Sequence, residues 1–299
     1  PPRFVSLEAL KNKSMEFTPT SPALRRIRLT AASATILALS LSAAATSVRA
    51  QVAEPDLVIE NEPSSAVEEG LRNAASVVLS ANNFGFSLRG QYDRALTPMA
   101  DLVLQLGVSG LRDVSEQTYT DYFFGQQIIP NKYQRGMSFP VLAGIRHRLF
   151  ARSVQDSYRF YLAGSAGGVF AFTYPYFDDF NGNGYRERFF EYYENTYDML
   201  TGWKEGNWHA GIAGEFTIGI DFGRDFKKVS RVQFGYLFYY FPGSVQMMMP
   251  NQPVLNPEAG PADFPYLLNP DGTLVMQPFF DSQSFFGTPV LSFSFGGMW

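Results

Sequence analysis

A chain of 299 residues with no cysteine can form no disulfide and offers no thiolate chemistry. Its net charge is only −4, from 24 basic and 28 acidic residues, and the basic residues are scattered, which argues against a nucleic-acid partner. Aromatics reach 16%, with 28 Phe and 16 Tyr, yet beyond Ala50 no apolar run approaches the roughly 20 residues of a spanning helix. Any membrane-crossing part must therefore cross as a closed set of strands.

Pro1 to Ser14 precede the first methionine, Met15, and read as translated upstream sequence or a fragment edge. Arg25, Arg26 and Arg28 form a basic cluster, followed by an uncharged stretch from Leu29 to Ala45. Ser47-Val48-Arg49-Ala50 then places small or β-branched residues where a signal peptidase reads. This is the layout of a cleaved secretory signal. A transmembrane anchor is the alternative, disfavoured because the run is short and rich in Ala, Ser and Thr. Residues 1–50 are therefore set outside the fold, and the mature protein is expected to begin at Gln51. Residues 51–74 are expected to form a periplasmic segment. Within it Ser65-Ala66-Val67-Glu68 has capping-box spacing and predicts a short helix.

From there the sequence reads as strands. A membrane-barrel strand of about ten residues is apolar at alternate positions. Ala75–Ala81 is the candidate first strand, with a turn at Asn82-Asn83; Asp56–Asn61 is an earlier candidate. Phe84–Asp93 sets Phe86, Leu88 and Tyr92 against Ser87, Arg89, Gln91 and Asp93. Asp101–Gly110 sets Leu102, Leu104, Leu106 and Val108 against Asp101, Gln105, Gly107 and Ser109. The same alternation runs through Arg135–Leu149, Tyr158–Thr173, Asn207–Asp221 and Ser230–Phe241. Arg89, Arg146, Glu215, Gln105 and Gln233 all fall opposite the apolar rows, beside glycines and small residues that suit a cramped interior. Trp208, Phe170, Phe172 and Tyr240 are expected to mark aromatic girdles at the two membrane interfaces.

The sequence ends on Leu291, Phe293, Phe295 and Trp299 at alternating positions with an aromatic last residue. This resembles the C-terminal signal of bacterial outer-membrane barrels, and over residues 75–299 the pattern is similar to the small barrels of the OmpA/OmpX type, or to a Bacteroidetes-like outer-membrane barrel family. The resemblance implies recognition by the barrel-assembly machinery and residence among outer-membrane lipids, with the protein as a monomer.

Connections alternate in length: Arg94–Met99, Phe150–Ser157 and Phe222–Val229 are short, while Leu111–Gln134, Tyr174–Gly206 and Pro242–Ser284 are long. Short periplasmic turns and long extracellular loops have this rhythm. Eight antiparallel strands are expected; ten would need a hidden hairpin within Pro242–Ser284.

An eight-stranded barrel has room inside only for side chains. Arg89, Arg146 and Arg148 share the inward parity with Asp101, Glu215 and Asp221, and charges in such a space must be paired. A salt-bridged plug is the preferred reading, a narrow polar pore the functional alternative. Asp179, Asn181, Asn183, Tyr185 and Glu187 have the spacing of the first half of a calcium loop. The twelfth loop position is Phe190, however, and Asn-Gly-Asn-Gly is also good turn sequence. No other cofactor is expected. The run Met247-Met248-Met249 reads as adaptable apolar surface. The usual base is histidine, and only His147 and His209 are present. A lipid-acting barrel enzyme would need a carboxylate or hydroxyl near His209, facing the outer leaflet. The expectation is therefore a non-enzymatic barrel with an envelope-structural or surface-interaction role. A soluble periplasmic lipid carrier, whose apolar rows would point inward, is the remaining rival.

Overall fold

The computed structural model describes residues 65–121, 126–150, 157–188, 194–223, 225–261 and 263–299. The signal-like residues and Asp56–Asn61 lie outside them. The strands are β1 (Asn73–Asn82), β2 (Gly85–Thr97), β3 (Ala100–Leu111), β4 (Tyr119–Asp121), β5 (Gln126–Ile128) and β6 (Gln134–Arg148). They continue with β7 (Tyr158–Pro175), β8 (Asn207–Phe222), β9 (Lys228–Val245), β10 (Asn251–Pro253), β11 (Met276–Pro278) and β12 (Gln283–Met298). Eight of them close an antiparallel ring in the order β1-β12-β9-β8-β7-β6-β3-β2. The hairpin hidden in Pro242–Ser284 exists as β10–β11, but it pairs with itself and joins no barrel ladder, as does β4–β5. The barrel therefore has eight strands.

Exposure decides what kind of barrel this is. Leu79, Leu88, Leu106, Ile145, Ile212, Phe216, Ile218 and Phe234 are exposed, while their neighbours Ser80, Arg89, Gln105, Arg146, Ala213, Thr217 and Gln233 are buried. The carrier reading requires the reverse and is thereby excluded. Such a belt is far larger than the apolar patches soluble proteins expose. Lipid satisfies it, and ring closure leaves no strand edge unpaired. The fold is a transmembrane β-barrel.

Three long connections leave from one end, here the loop end; the C-terminus and the turn at Pro98-Met99 lie at the other, the turn end. The β1–β2 link is tight although it sits at the loop end. Its turn residues are Asn83 and Phe84, one position later than expected: the Phe84 N–H donates to Asn82 Oδ1 at 2.9 Å, and Gly85 takes the positive φ of 117° that a side chain would strain. β7 and β9 run for 18 residues each, about 60 Å along the strand at ~3.4 Å per residue. They outreach an apolar band of about 25 Å, so part of each stands clear of it. The alternation, which marks faces, does not show where the membrane stops.

The capping box forms as spaced, with Glu68 Oε2 accepting from the Ser65 N–H at 3.0 Å and Ser65 Oγ from the Glu68 N–H at 3.3 Å. It yields a single turn rather than a helix, because Gly70 turns left-handed (φ 80°) and β1 begins at Asn73. The aromatics also divide differently from expectation. Trp208, Phe170, Phe172 and Tyr240 all lie in the loop-end half, where Phe172 and Phe139 pack on Trp208 at 5.0 and 5.8 Å. The turn-end girdle is made by other residues, in the pairs Phe150–Phe160 and Tyr158–Phe222.

Candidate functional site

The inward rows make the candidate site, the barrel lumen. At its middle Arg89 of β2 meets Glu215 of β8 at 2.7 Å, both side chains 2% exposed. These strands stand four places apart in the ring of eight, on opposite walls, so the ion pair crosses the tube. Arg89 also donates to Gln105 Oε1 at 2.8 Å and to Ser80 Oγ at 3.2 Å. From Gln105 the hydrogen bonds run through Gln91 to Asp93.

Asp93 is the hub of the turn-end half. Its Oδ2 accepts from Arg146 at 3.2 Å and from Arg231 at 2.5 Å, two arms from different walls. Arg146 also donates through Nη2 to Asp101 Oδ2 at 2.7 Å. Asp221 lies between Arg231, at 3.4 Å, and Arg159, at 3.3 Å. Arg148 is half-buried at this mouth and, with Arg146, Arg159, Asp101 and Asp221, lines a pocket of about 70 Å³. Mutual pairing of this kind lets several ions occupy a space that would expel any one of them alone.

The sequence reading names Arg89, Asp101, Arg146, Arg148, Glu215 and Asp221, and the structure places all of them on the lumen side. It omits Asp93, Arg159 and Arg231, which carry as much of the network. All three have inward parity. Strand register supplies the missing signal: Asp101 lies directly across from Arg146, and Asp221 across from both Arg159 and Arg231. Counting outward from the short β8–β9 turn pairs Asp221 with Arg231, whereas the other two pairs join strands linked by long loops and come only with the fold.

The loop-end half is filled differently. Phe84 stacks on Tyr239 at 6.0 Å, Tyr239 meets Phe241 at 6.4 Å, and Phe241 meets Phe286 at 5.8 Å. Leu111, Leu142, Val169 and Val290 close around them. Met247, Met248 and Met249 are buried, not surface as expected. Their segment is clamped to the β3–β6 loop, with the Tyr133 N–H donating to the Met247 carbonyl at 2.9 Å and the Met249 N–H to the Asn131 carbonyl at 2.8 Å. Flexible thioethers suit an irregular gap under a roof.

His209 points into the lumen and shares a hydrogen bond of 3.0 Å with Thr173 Oγ1. A hydroxyl is thus within reach, but it is fully buried and faces away from the lipid leaflet. His147 lies exposed on the outer row. Asp179, Asn181, Asn183, Tyr185 and Glu187 come together in the β7–β8 loop. There Asp179 Oδ1 accepts from the Asn183 N–H and Oδ2 from the Gly184 N–H, while Asn181 and Asn183 both donate to Glu187 Oε1. Glu194 holds the turn from below, accepting from the Phe180 and Glu187 N–H groups, and burial pushes its carboxyl above the ordinary range. Gly184 has a φ of 75°, and a Cβ there would sit 2.5 Å from Pro250. The loop is thereby pressed onto the β9–β12 loop, where Asn251 Nδ2 donates to the Asn183 carbonyl at 2.7 Å. Among the described residues no group of three or more His, Cys, Asp or Glu is arranged to hold a metal. Phe190 lies outside the described residues. Leu291, Phe293, Phe295 and Trp299 all point outward from the closing strand.

No family profile and no curated protein matches the sequence. Among solved structures it is similar to Ail, the attachment invasion locus protein of Yersinia pestis, crystallised with the heparin analogue sucrose octasulfate. The identity is 8% and the TM-score 0.34, over 77% of this chain and 99% of that one. Neisserial surface protein A matches at 9% identity and TM-score 0.31, over 76% and 94%. The N-terminal β-barrel domain of Pseudomonas aeruginosa OprF matches at 9% and 0.31, over 76% and 98%. Likenesses at this level carry no argument; the transmembrane reading stands on the exposure pattern of the protein itself.

Proposed function

We propose that the protein is a non-enzymatic, non-conducting barrel of the bacterial outer membrane, delivered there by a cleaved signal within residues 1–50 and anchoring a folded crown of loops at the cell surface. The Arg89–Glu215 pair carries this reading, since an ion pair between opposite walls occupies the axis a solute would travel. The turn-end network and the aromatic and methionine plug stand in series with it. Outside, the crown exposes Phe180, Met199, Leu200 and Leu255. Apolar side chains displayed on loops that are bonded to each other suit a surface-interaction role. Leu291, Phe293, Phe295 and Trp299 serve as the assembly signal in this reading. The test is planar-bilayer recording of the refolded protein. A silent membrane is expected while insertion is shown by a boiling-dependent gel shift; stable, discrete openings by the unaltered protein would contradict the plug.

A further inference from the structure

Outside the lumen, a groove of about 790 Å³ opens sideways on the barrel wall near the loop end. Its lower part is the lipid-facing row of β2, β3 and β6: Phe86, Leu88, Val108 and Met137. Its rim is basic, with Arg112, Lys132 and Arg135, and among the described residues no carboxylate lines it.

The rim is held in place by the loops. Arg135 lies 4.9 Å from the ring centre of Tyr176 and donates to the carbonyls of Tyr197 and Asp198. Its direct acceptors are neutral, and the Asp198 carboxylate feels its charge from beside the groove. The carboxylate of Asp198 accepts from the Leu200 and Thr201 N–H groups. Arg112 and Lys132 share one carboxylate, Glu116, whose side chain is buried. The neighbouring Asp113 accepts from Gln283 and from the Ser115 N–H. The carboxylates thus stand behind or beside the rim, and the groove itself is lined by three cations directly above an apolar wall.

We propose that this groove holds an anionic lipid of the surrounding leaflet, its phosphate on Arg112, Lys132 and Arg135 and an acyl tail along Phe86, Leu88, Val108 and Met137. Guanidinium groups suit a phosphate through charge-assisted, bidentate bonds. A free anion would leave the apolar wall unused; a zwitterionic lipid would bring a cation of its own to a rim lined by cations. The placement rests on the membrane reading above.

The full-length protein, refolded in dodecylmaltoside micelles, would be loaded with dioleoyl phosphatidic acid or dioleoyl phosphatidylcholine and followed by native mass spectrometry. Phosphatidic acid should be retained at least about tenfold better, as expected for charge-assisted phosphate contacts. The double variant Arg112→Gln/Arg135→Gln should lose that preference. Leu88→Trp, which fills the groove and leaves the cations, should lose it too. Phe234→Trp, on the opposite wall, should keep it. A boiling-dependent gel shift is recorded for each variant, so loss of the shift signals failure of the barrel itself. With the shift intact, equal retention of the two lipids, unchanged retention by Leu88→Trp, or full displacement by micromolar inorganic phosphate would each overturn the proposal.

Discussion

The two halves of the lumen solve one problem with opposite chemistry. The turn-end half is packed with arginines and carboxylates; the loop-end half with Phe84, Tyr239, Phe241, Phe286 and Met247. The difference follows from what lies beyond each end. Three long loops reach back over one mouth and bring their own bulk, including the methionine segment. The other mouth has short turns and the single turn at residues 65–70, whose Ala66 reaches the mouth pocket, so most of the filling falls to the strands' own side chains. Arginine is long enough to reach from one wall toward the other, and its fixed fork of donors lets it serve two carboxylates at once, as Arg146 does with Asp93 and Asp101. Where loops are available, the lumen can be dry; where they are not, it is wired.

Breaking the wired half should cost most at its centre. Glu215→Ala leaves Arg89 buried without its ion partner, and removal of one member of a buried pair costs about 3–5 kcal/mol; the urea midpoint of the detergent-refolded protein should fall accordingly. The dry half should respond through packing. Phe84→Ala empties the space above Tyr239, at a cost of about 3 kcal/mol for an aromatic truncated in a core, and should show no dependence on salt. At the turn-end mouth the network has redundancy. Asp101, with 26% of its side chain exposed, can be lost while Arg146 keeps Asp93, so Asp101→Ala should cost only about 1 kcal/mol. An effect as large as that of Glu215→Ala would show that the mouth, not the crossing pair, holds the barrel.

The smallest effect lies in the crown. Burial raises the folded-state pKa of Glu194 above its usual 4.5. For an acid shifted upward, ionisation opposes the folded loop, so the cost is present above the folded pKa and is relieved as pH falls through it. The β7–β8 loop should therefore resist proteinase K somewhat better below pH 4.5 than at pH 7.5, each rate taken relative to an unfolded substrate. Glu194→Gln should remove that difference; persistence of the difference in the variant would assign it to another group.

The strands and their inward faces were legible because a strand has period two and lipid tolerates little but apolar side chains on the other face. Leu102 to Val108 and Trp208 to Ile220 show this as written in the sequence. What parity cannot give is height and direction around the ring. It put Arg89 and Glu215 in one lumen without showing that they face each other from opposite walls. It passed over Asp93, whose role comes from two arms arriving from different strands. The methionine run was misread for a related reason: an apolar triplet in a long loop looks like surface until the loop is seen folded across the mouth. The turn-end girdle of Tyr158, Phe160 and Phe222 became visible only once strand ends were fixed. The Asx-rich turn from Asp179 to Glu187 was legible as a turn, whereas its seating against Pro250 and Asn251 depends on contact between two loops far apart in the sequence.

The central claim is that the apolar rows meet lipid and the polar rows, at mid-lumen, do not meet water. The protein has no cysteine, so single-cysteine variants report without background. Ile218→Cys and Phe234→Cys, carrying nitroxide labels in lipid vesicles, should collide freely with oxygen and hardly at all with a water-soluble nickel chelate. Thr217→Cys, one residue along and inside the lumen, should resist a water-soluble maleimide until the barrel is unfolded. Outer labels that collide with the chelate instead of oxygen, or a Thr217→Cys thiol that reacts at once in the folded protein, would contradict the filled transmembrane barrel.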